Sequence, residues 1–151
     1  MKVCYSGTFN ILHKGHKKLI DNGIEIAGKN GTLYIGVTEG KIIKNKKIVV
    51  PFDKRVKKIK EYLKLKKYEQ RIVIKKIYDE YGPAINGDYD AIIVSPESIK
   101  NAERLNIKRM GNNRKPLKII ELPFVLADDN KPISSTRIYN KEIDEEGKIL
   151  K

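Results

Sequence analysis

Two histidines are all this 151-residue chain has, and they lie three residues apart, at His13 and His16. The stretch around them reads YSGTFNILHKGHKKLI. An imidazole N–H is a good donor to phosphate oxygens, and a nearby anion favours the charged ring. Gly7 removes a side chain where a ligand can approach the backbone. A helix opening near Gly15 adds unpaired first-turn N–H groups and the positive end of its dipole, which together attract phosphate. Gly7, Thr8, Phe9, His13 and His16 are therefore candidates for an anion site, with two incidental histidines as the plainer alternative.

A second candidate is PISSTRIY near the C-terminus. Ser134 or Ser135 caps a helix there, and Thr136 and Arg137 occupy its first turn. The segment is either an ordinary N-cap or a second phosphate cradle of hydroxyls, amides and a guanidinium. Between the two groups lies EGKIIKNKKIVVPFDKR. Most of its lysines are solvated on this reading, with Lys44 chosen to reach over the site and neutralise a polyphosphate. Arg55 is either a second substrate contact or a surface charge.

These residues must be carried by alternating strands and helices. Strands are expected at Val3–Ser6, Thr32–Thr38, Arg71–Ile77, Asp90–Ser95 and Leu117–Phe124. A helix is expected at Gly15–Ala27, with Leu19, Ile20, Gly23, Ile24 and Ala27 on one face. Asp53 is expected to cap a second helix, with Val56, Ile59 and Leu63 inward. A third helix turns Ile99, Ala102 and Leu105 inward, and Ser134–Thr136 open a fourth. The unbroken apolar run of the fourth strand suits a parallel strand covered on both sides. The expected fold is α/β: a single Rossmann-like, doubly wound domain over 1–151, with a five-stranded parallel sheet flanked by helices. Ligands of such sheets bind beyond the carboxyl ends of the strands, where both candidate groups begin.

The net charge of +13 allows a nucleic-acid binder, an enzyme of polyanionic substrates or a lysine-coated surface. The lysines are spread along the chain, and no nucleic-acid-binding signature accompanies them, so no nucleic-acid partner is expected. No apolar run approaches the ~20 residues of a membrane helix, and MKVCYSG is not a secretory leader. The one cysteine, Cys4, reads as a small buried residue in a reducing, cytoplasmic setting. GIEIAGKN mimics a phosphate loop but closes a helix instead of opening one, and Asn30 fills the Ser/Thr position. There is no zinc cluster and no dinucleotide fingerprint.

GTFNILHKGH resembles the first signature of the HxGH nucleotidyltransferases, and ISSTRI resembles their second. The stretches VVPFDKR and IIVSPESIKNAERLNIKR…LKIIELPFVLADDNKPISSTRI are similar to the archaeal and eukaryotic-type phosphopantetheine adenylyltransferases. The resemblance implies transfer of AMP from ATP to 4′-phosphopantetheine, giving dephospho-CoA and pyrophosphate, with Mg²⁺ carried by the ATP. It implies ATP contacts from Gly7, Thr8, Phe9, His13, His16, Ser134, Ser135, Thr136 and Arg137. His16 and Lys44 would be catalytic; Thr8, Lys44 and Arg55 would meet the acceptor; no protein-held metal is expected. Sister activities on glycerol phosphate, nicotinamide mononucleotide or FMN share both signatures. Three positions depart from the usual pattern: Ser6 for glycine, Asn10 for aspartate and Tyr139 for arginine. The last shifts weight to Arg137.

Overall fold

The computed structural model describes residues 1–40, 49–79 and 81–150. Five strands form one parallel sheet: β1 (Lys2–Gly7), β2 (Thr32–Thr38), β3 (Ile72–Ile77), β4 (Ala91–Val94) and β5 (Lys118–Glu121). Their order across the sheet is β3-β2-β1-β4-β5, so the order reverses between β1 and β4. Among the described residues, four α-helices connect or follow them: α1 (Lys14–Ala27), α2 (Phe52–Lys66), α3 (Ile99–Gly111) and the short α4 (Ser135–Tyr139). This is the Rossmann-like α/β arrangement expected from the sequence.

Alternation along each strand divides the core between two faces. Val3, Leu33, Ile35 and Ile93 pack with Ile20, Ile24 and Ala27 of α1 and Ile59 and Leu63 of α2. On the other face Cys4 packs with Leu105 of α3, Ala84 and Leu117. In α1 the buried residues are Ile20, Gly23, Ile24 and Ala27, the helical stripe visible in the sequence. Each fully buried Ile or Leu contributes roughly 1.5–3 kcal/mol, and these side chains seat the strand ends that carry the site.

Some boundaries differ from expectation for local reasons. Asp53 does not cap α2: the helix starts at Phe52 behind Pro51 without a side-chain cap bond, and Asp53 sits inside the first turn. Arg71 belongs to the turn before β3, where its guanidinium donates to the carbonyls of Ile24 and Gly28 at the end of α1. β5 stops at Glu121; Leu122 N still donates to Val94 O, but Pro123 has no N–H to continue the ladder.

A small third cluster holds the C-terminal region. Ala127, Ile133 and Ile143 are buried together against Val125 and Ile138. Among the described residues, no helix is long and apolar enough to cross a membrane.

Candidate active site

A cleft of about 700 Å³ opens where β1 and β4 end. Gly7, Thr8, Phe9, His13, Gly15 and His16 form one wall, and Ser134, Ser135 and Thr136 another. The segment Leu122–Leu126, after β5, closes a third side. The two candidate groups are joined directly across 124 residues of sequence: Ser135 Oγ donates to Ile11 O at 3.2 Å and accepts from Ile11 N at 3.0 Å.

The histidines build the start of α1 as well as the wall. His13 is the N-cap, and its Nδ1 accepts from Gly15 N at 3.0 Å and His16 N at 3.4 Å. His16 answers by accepting from His13 N at its own Nδ1, at 3.3 Å. The pair thus forms a capping box in which histidine plays both parts. A nitrogen that accepts carries no proton, so in each neutral ring the proton sits on Nε2. A Cβ at residue 15 would stand 2.8 Å from His13 Cε1. Only glycine lets the imidazole lie over the helix start.

This corrects the expectation that α1 offers open amides to phosphate. Lys14 N donates to Glu145 O at 2.9 Å, Gly15 N and His16 N are held by His13, and Lys17 N bonds back to His13 O. What the helix start turns toward the cleft is the two imidazole rings rather than its amides. Nor is either imidazole charged at neutral pH in this structure. Burial lowers the pKa of His13 to about 4. Burial, together with the neighbouring His13, lowers that of His16 well below its ordinary value, against a smaller opposing pull from the Ile11 carbonyl.

The two rings stack at 3.8 Å, and His16 rests on Phe9 at 4.7 Å. Tyr5 meets Phe9 edge-on at 5.9 Å. Phe9 is buried at φ 55°, a conformation strained for a bulky residue. Its ring folds back over Gly7, where a Cβ would lie 3.2 Å from Phe9 Cε2. The space left by Gly7 is filled by Phe9.

Arg55 is neither a surface charge nor a residue of the cleft. It is 1% exposed, and its guanidinium donates to Thr8 O, Thr38 O and Val50 O. Thr8 Oγ1 accepts from Thr38 Oγ1 at 3.0 Å. Asn10 Oδ1 accepts from Val50 N at 3.1 Å, so the amide still ties the loop where aspartate is usual. Arg137 also departs from expectation. Its guanidinium pairs with Asp129 and Glu142 and donates to Pro132 O, and it does not line the cleft. These partners raise its pKa, the Asp129 hydrogen bond most, and the same bond lowers that of Asp129. Ser134 caps α4 by accepting from Arg137 N. Lys44 lies outside the described residues.

Sequence reasoning did not find Tyr5, Ser95 or the Leu122–Leu126 wall. Tyr5 and Ser95 also line a smaller cavity of about 150 Å³, with Tyr34, Tyr81, Tyr89 and Asn101 among its walls. Burial pushes the Tyr5 hydroxyl up to about 12 and the Cys4 thiol likewise to about 12, so both stay protonated.

Residues 4–141 match the family model described as cytidylyltransferase-like. The chain belongs to the cytidylyltransferase-like family. It is 40% identical over 151 residues to a phosphopantetheine adenylyltransferase of Methanosarcina mazei, covering 99% of this chain and 97% of that one. It is 40% identical to a phosphopantetheine adenylyltransferase of Archaeoglobus fulgidus, covering 99% of this chain and 100% of that one. A crystal structure of a protein with unknown function from Archaeoglobus fulgidus superposes with a TM-score of 0.72 at 33% identity. It covers 89% of this chain and the whole of that one. In this cytidylyltransferase-like chain, the two groups singled out by residue type are the two that meet across the cleft.

Proposed function

We propose that the chain transfers the adenylyl group of ATP to 4′-phosphopantetheine, giving dephospho-CoA and pyrophosphate. The carrying observation is the Ser135–Ile11 junction, which brings both candidate groups to one cleft. The chain's full-length similarity to phosphopantetheine adenylyltransferases supports the choice of acceptor.

The chemistry needs no base. A phosphomonoester has its second pKa at about 6 and is mostly a dianion at pH 7. One of its oxygens forms a bond to the α-phosphorus of ATP, the bond from that phosphorus to the bridging oxygen breaks, and pyrophosphate leaves. The difficulty is bringing two anions together and stabilising charge on the α-phosphoryl and departing groups. No carboxylate among the described residues lines the cleft, so nothing there repels the incoming phosphates. Neutral imidazoles suit this work. His16 donates Nε2–H to the α-phosphoryl oxygens as charge builds, and His13 donates to the same triphosphate. Gly7, Thr8, Phe9 and Ser134–Thr136 surround the triphosphate, and Thr8 is the candidate for the acceptor's phosphate.

Lys44 remains the cationic candidate from the segment after β2. Among the described residues, no cluster of three or more His, Cys, Asp or Glu is placed to hold a metal. Mg²⁺ carried by the ATP would supply charge neutralisation on the phosphates. The narrow cavity beside Tyr5 and Ser95 suits the uncharged arm of the acceptor. A reaction of this kind, in a chain whose single thiol is buried and unpaired, belongs in the reducing cytoplasm.

Pyrophosphate release tests the proposal. ATP with 4′-phosphopantetheine should give the highest kcat/KM among ATP and CTP tested against 4′-phosphopantetheine, glycerol phosphate, nicotinamide mononucleotide and FMN. A higher kcat/KM for another pair would reassign the chain to a sister reaction.

A further inference from the structure

Among the described residues, Arg55 is the largest side chain that is fully buried, and none of the chemistry above uses it. Its Nη1 donates to Thr8 O at 2.9 Å and Thr38 O at 2.7 Å, and its Nε to Val50 O at 2.7 Å. Its one charged partner among the described residues, Glu39, stands 3.5 Å from Nη2. A buried cation that spends its donors on three main-chain carbonyls organises backbone. The carbonyls belong to the chain just after β1, to the last residue of β2 and to the approach to α2.

The Thr8 carbonyl is the informative one. It shares a planar peptide with the nitrogen of Phe9. Gripping that oxygen fixes the plane from which the rotation about the Phe9 N–Cα bond starts, and the buried Phe9 ring holds the other side of that bond. Phe9 sits at φ 55°, a conformation that a bulky side chain keeps only when its surroundings impose it. In that conformation its ring lies over Gly7 and against His16. Thr38 holds the Thr8 hydroxyl from the other side, and Arg55 holds Thr38 as well.

We propose that Arg55 is a positioning residue for the phosphate site: it locks the Thr8–Phe9 peptide in its strained form, which sets the Phe9 ring as the backing for the His16 imidazole. Arg55 does not itself line the cleft and acts through the Thr8–Phe9 peptide. The inference rests on the adenylyl-transfer reading for its kinetic consequence, but its structural half is independent of any substrate.

Arg55→Lys keeps the charge and loses the fork that reaches three carbonyls. With folding checked by thermal melting, kcat for pyrophosphate release should fall by about 10²-fold, the cost of a misplaced reacting group, while KM for ATP changes little. The ¹⁵N imidazole signals of His16 should shift in the substrate-free protein. Phe9→Leu, which leaves Arg55 in place, should reproduce both effects. The double variant should be no worse than either single one, because both break the same link. If Arg55→Lys does not fold, Arg55→Gln, which keeps side-chain donors without the fork, is read by the same kcat and His16 signals. A folded Arg55→Lys protein with wild-type kcat and unmoved His16 signals would overturn the proposal. So would unmoved His16 signals in Phe9→Leu, or fully additive losses in the double variant. Failure of the wild-type chain to transfer adenylate would instead sink the proposed function, and the substrate-free His16 signals would go on testing Arg55.

Discussion

A buried imidazole that caps a helix resists protonation, and this has consequences for stability and rate. His13 has its pKa lowered to about 4 by burial, against 6.5 for the free side chain. The unfolded chain therefore binds a proton first as the pH falls, and the folded state loses ground to it. The loss begins near pH 6.5 and is complete near pH 4, amounting to roughly 3 kcal/mol from His13 alone. Urea unfolding at pH 7 and pH 4.5 should show it, and His13→Asn, which can cap without titrating, should flatten that slope. Activity should follow a different group. The acid limb of kcat/KM should fall near pH 6, where the acceptor phosphate takes its second proton, with no histidine inflection between pH 6 and 8. His16→Ala should still fold, at a cost of about 1 kcal/mol for the lost half of the capping box, and lose about 10²–10³ in kcat, the usual cost of one transition-state donor; turnover near wild type would remove His16 from the mechanism. The two histidines were legible as one site because nothing else in the chain shares their chemistry. Their mutual capping was not read, although the spacing of three that draws them together is also that of a capping box.

At the level of elements, the loops after β1 and before α4 depend on each other. Ser135 Oγ is the only described hydrogen-bonding link between Ile11 and α4. Ser135→Ala leaves the Ile11 N–H without its side-chain acceptor and should cost about 1–2 kcal/mol, a fall in Tm of a few degrees. It should also raise KM for ATP. Gly15→Ala separates architecture from catalysis differently. Alanine favours the helix by up to about 1 kcal/mol, but its Cβ crowds the His13 cap, whose loss costs about the same. Tm should change little while kcat falls by more than tenfold. The alternation of strands and helices, the α1 stripe and a helix capped by Ser134 or Ser135 were readable because period and cap residues report local physics. Arg137 and Arg55 were misread because a guanidinium's partner depends on which distant carbonyls and carboxylates fold beside it. Asp129 and Glu142 claim one, and three backbone carbonyls claim the other. The apolar stretch LPFVL gave no sign of being a cleft wall, since Leu122–Phe124 read as the end of the fifth strand and Val125–Leu126 as the start of the loop after it.

For the whole molecule, the parallel order β3-β2-β1-β4-β5 places its reversal beside the ends of β1 and β4, where the cleft opens. The net charge of +13 is then a field that favours polyanionic substrates. Saturating ATP should raise Tm, since a ligand at about 100 times its Kd adds about 2.7 kcal/mol. The most direct test of the account is a crystal structure with a non-hydrolysable ATP analogue. The triphosphate should lie between the imidazole Nε2 atoms of His13 and His16 on one side and Ser134–Thr136 on the other, within hydrogen-bonding distance of both. A nucleotide bound elsewhere, or touching only one of the two groups, would contradict it.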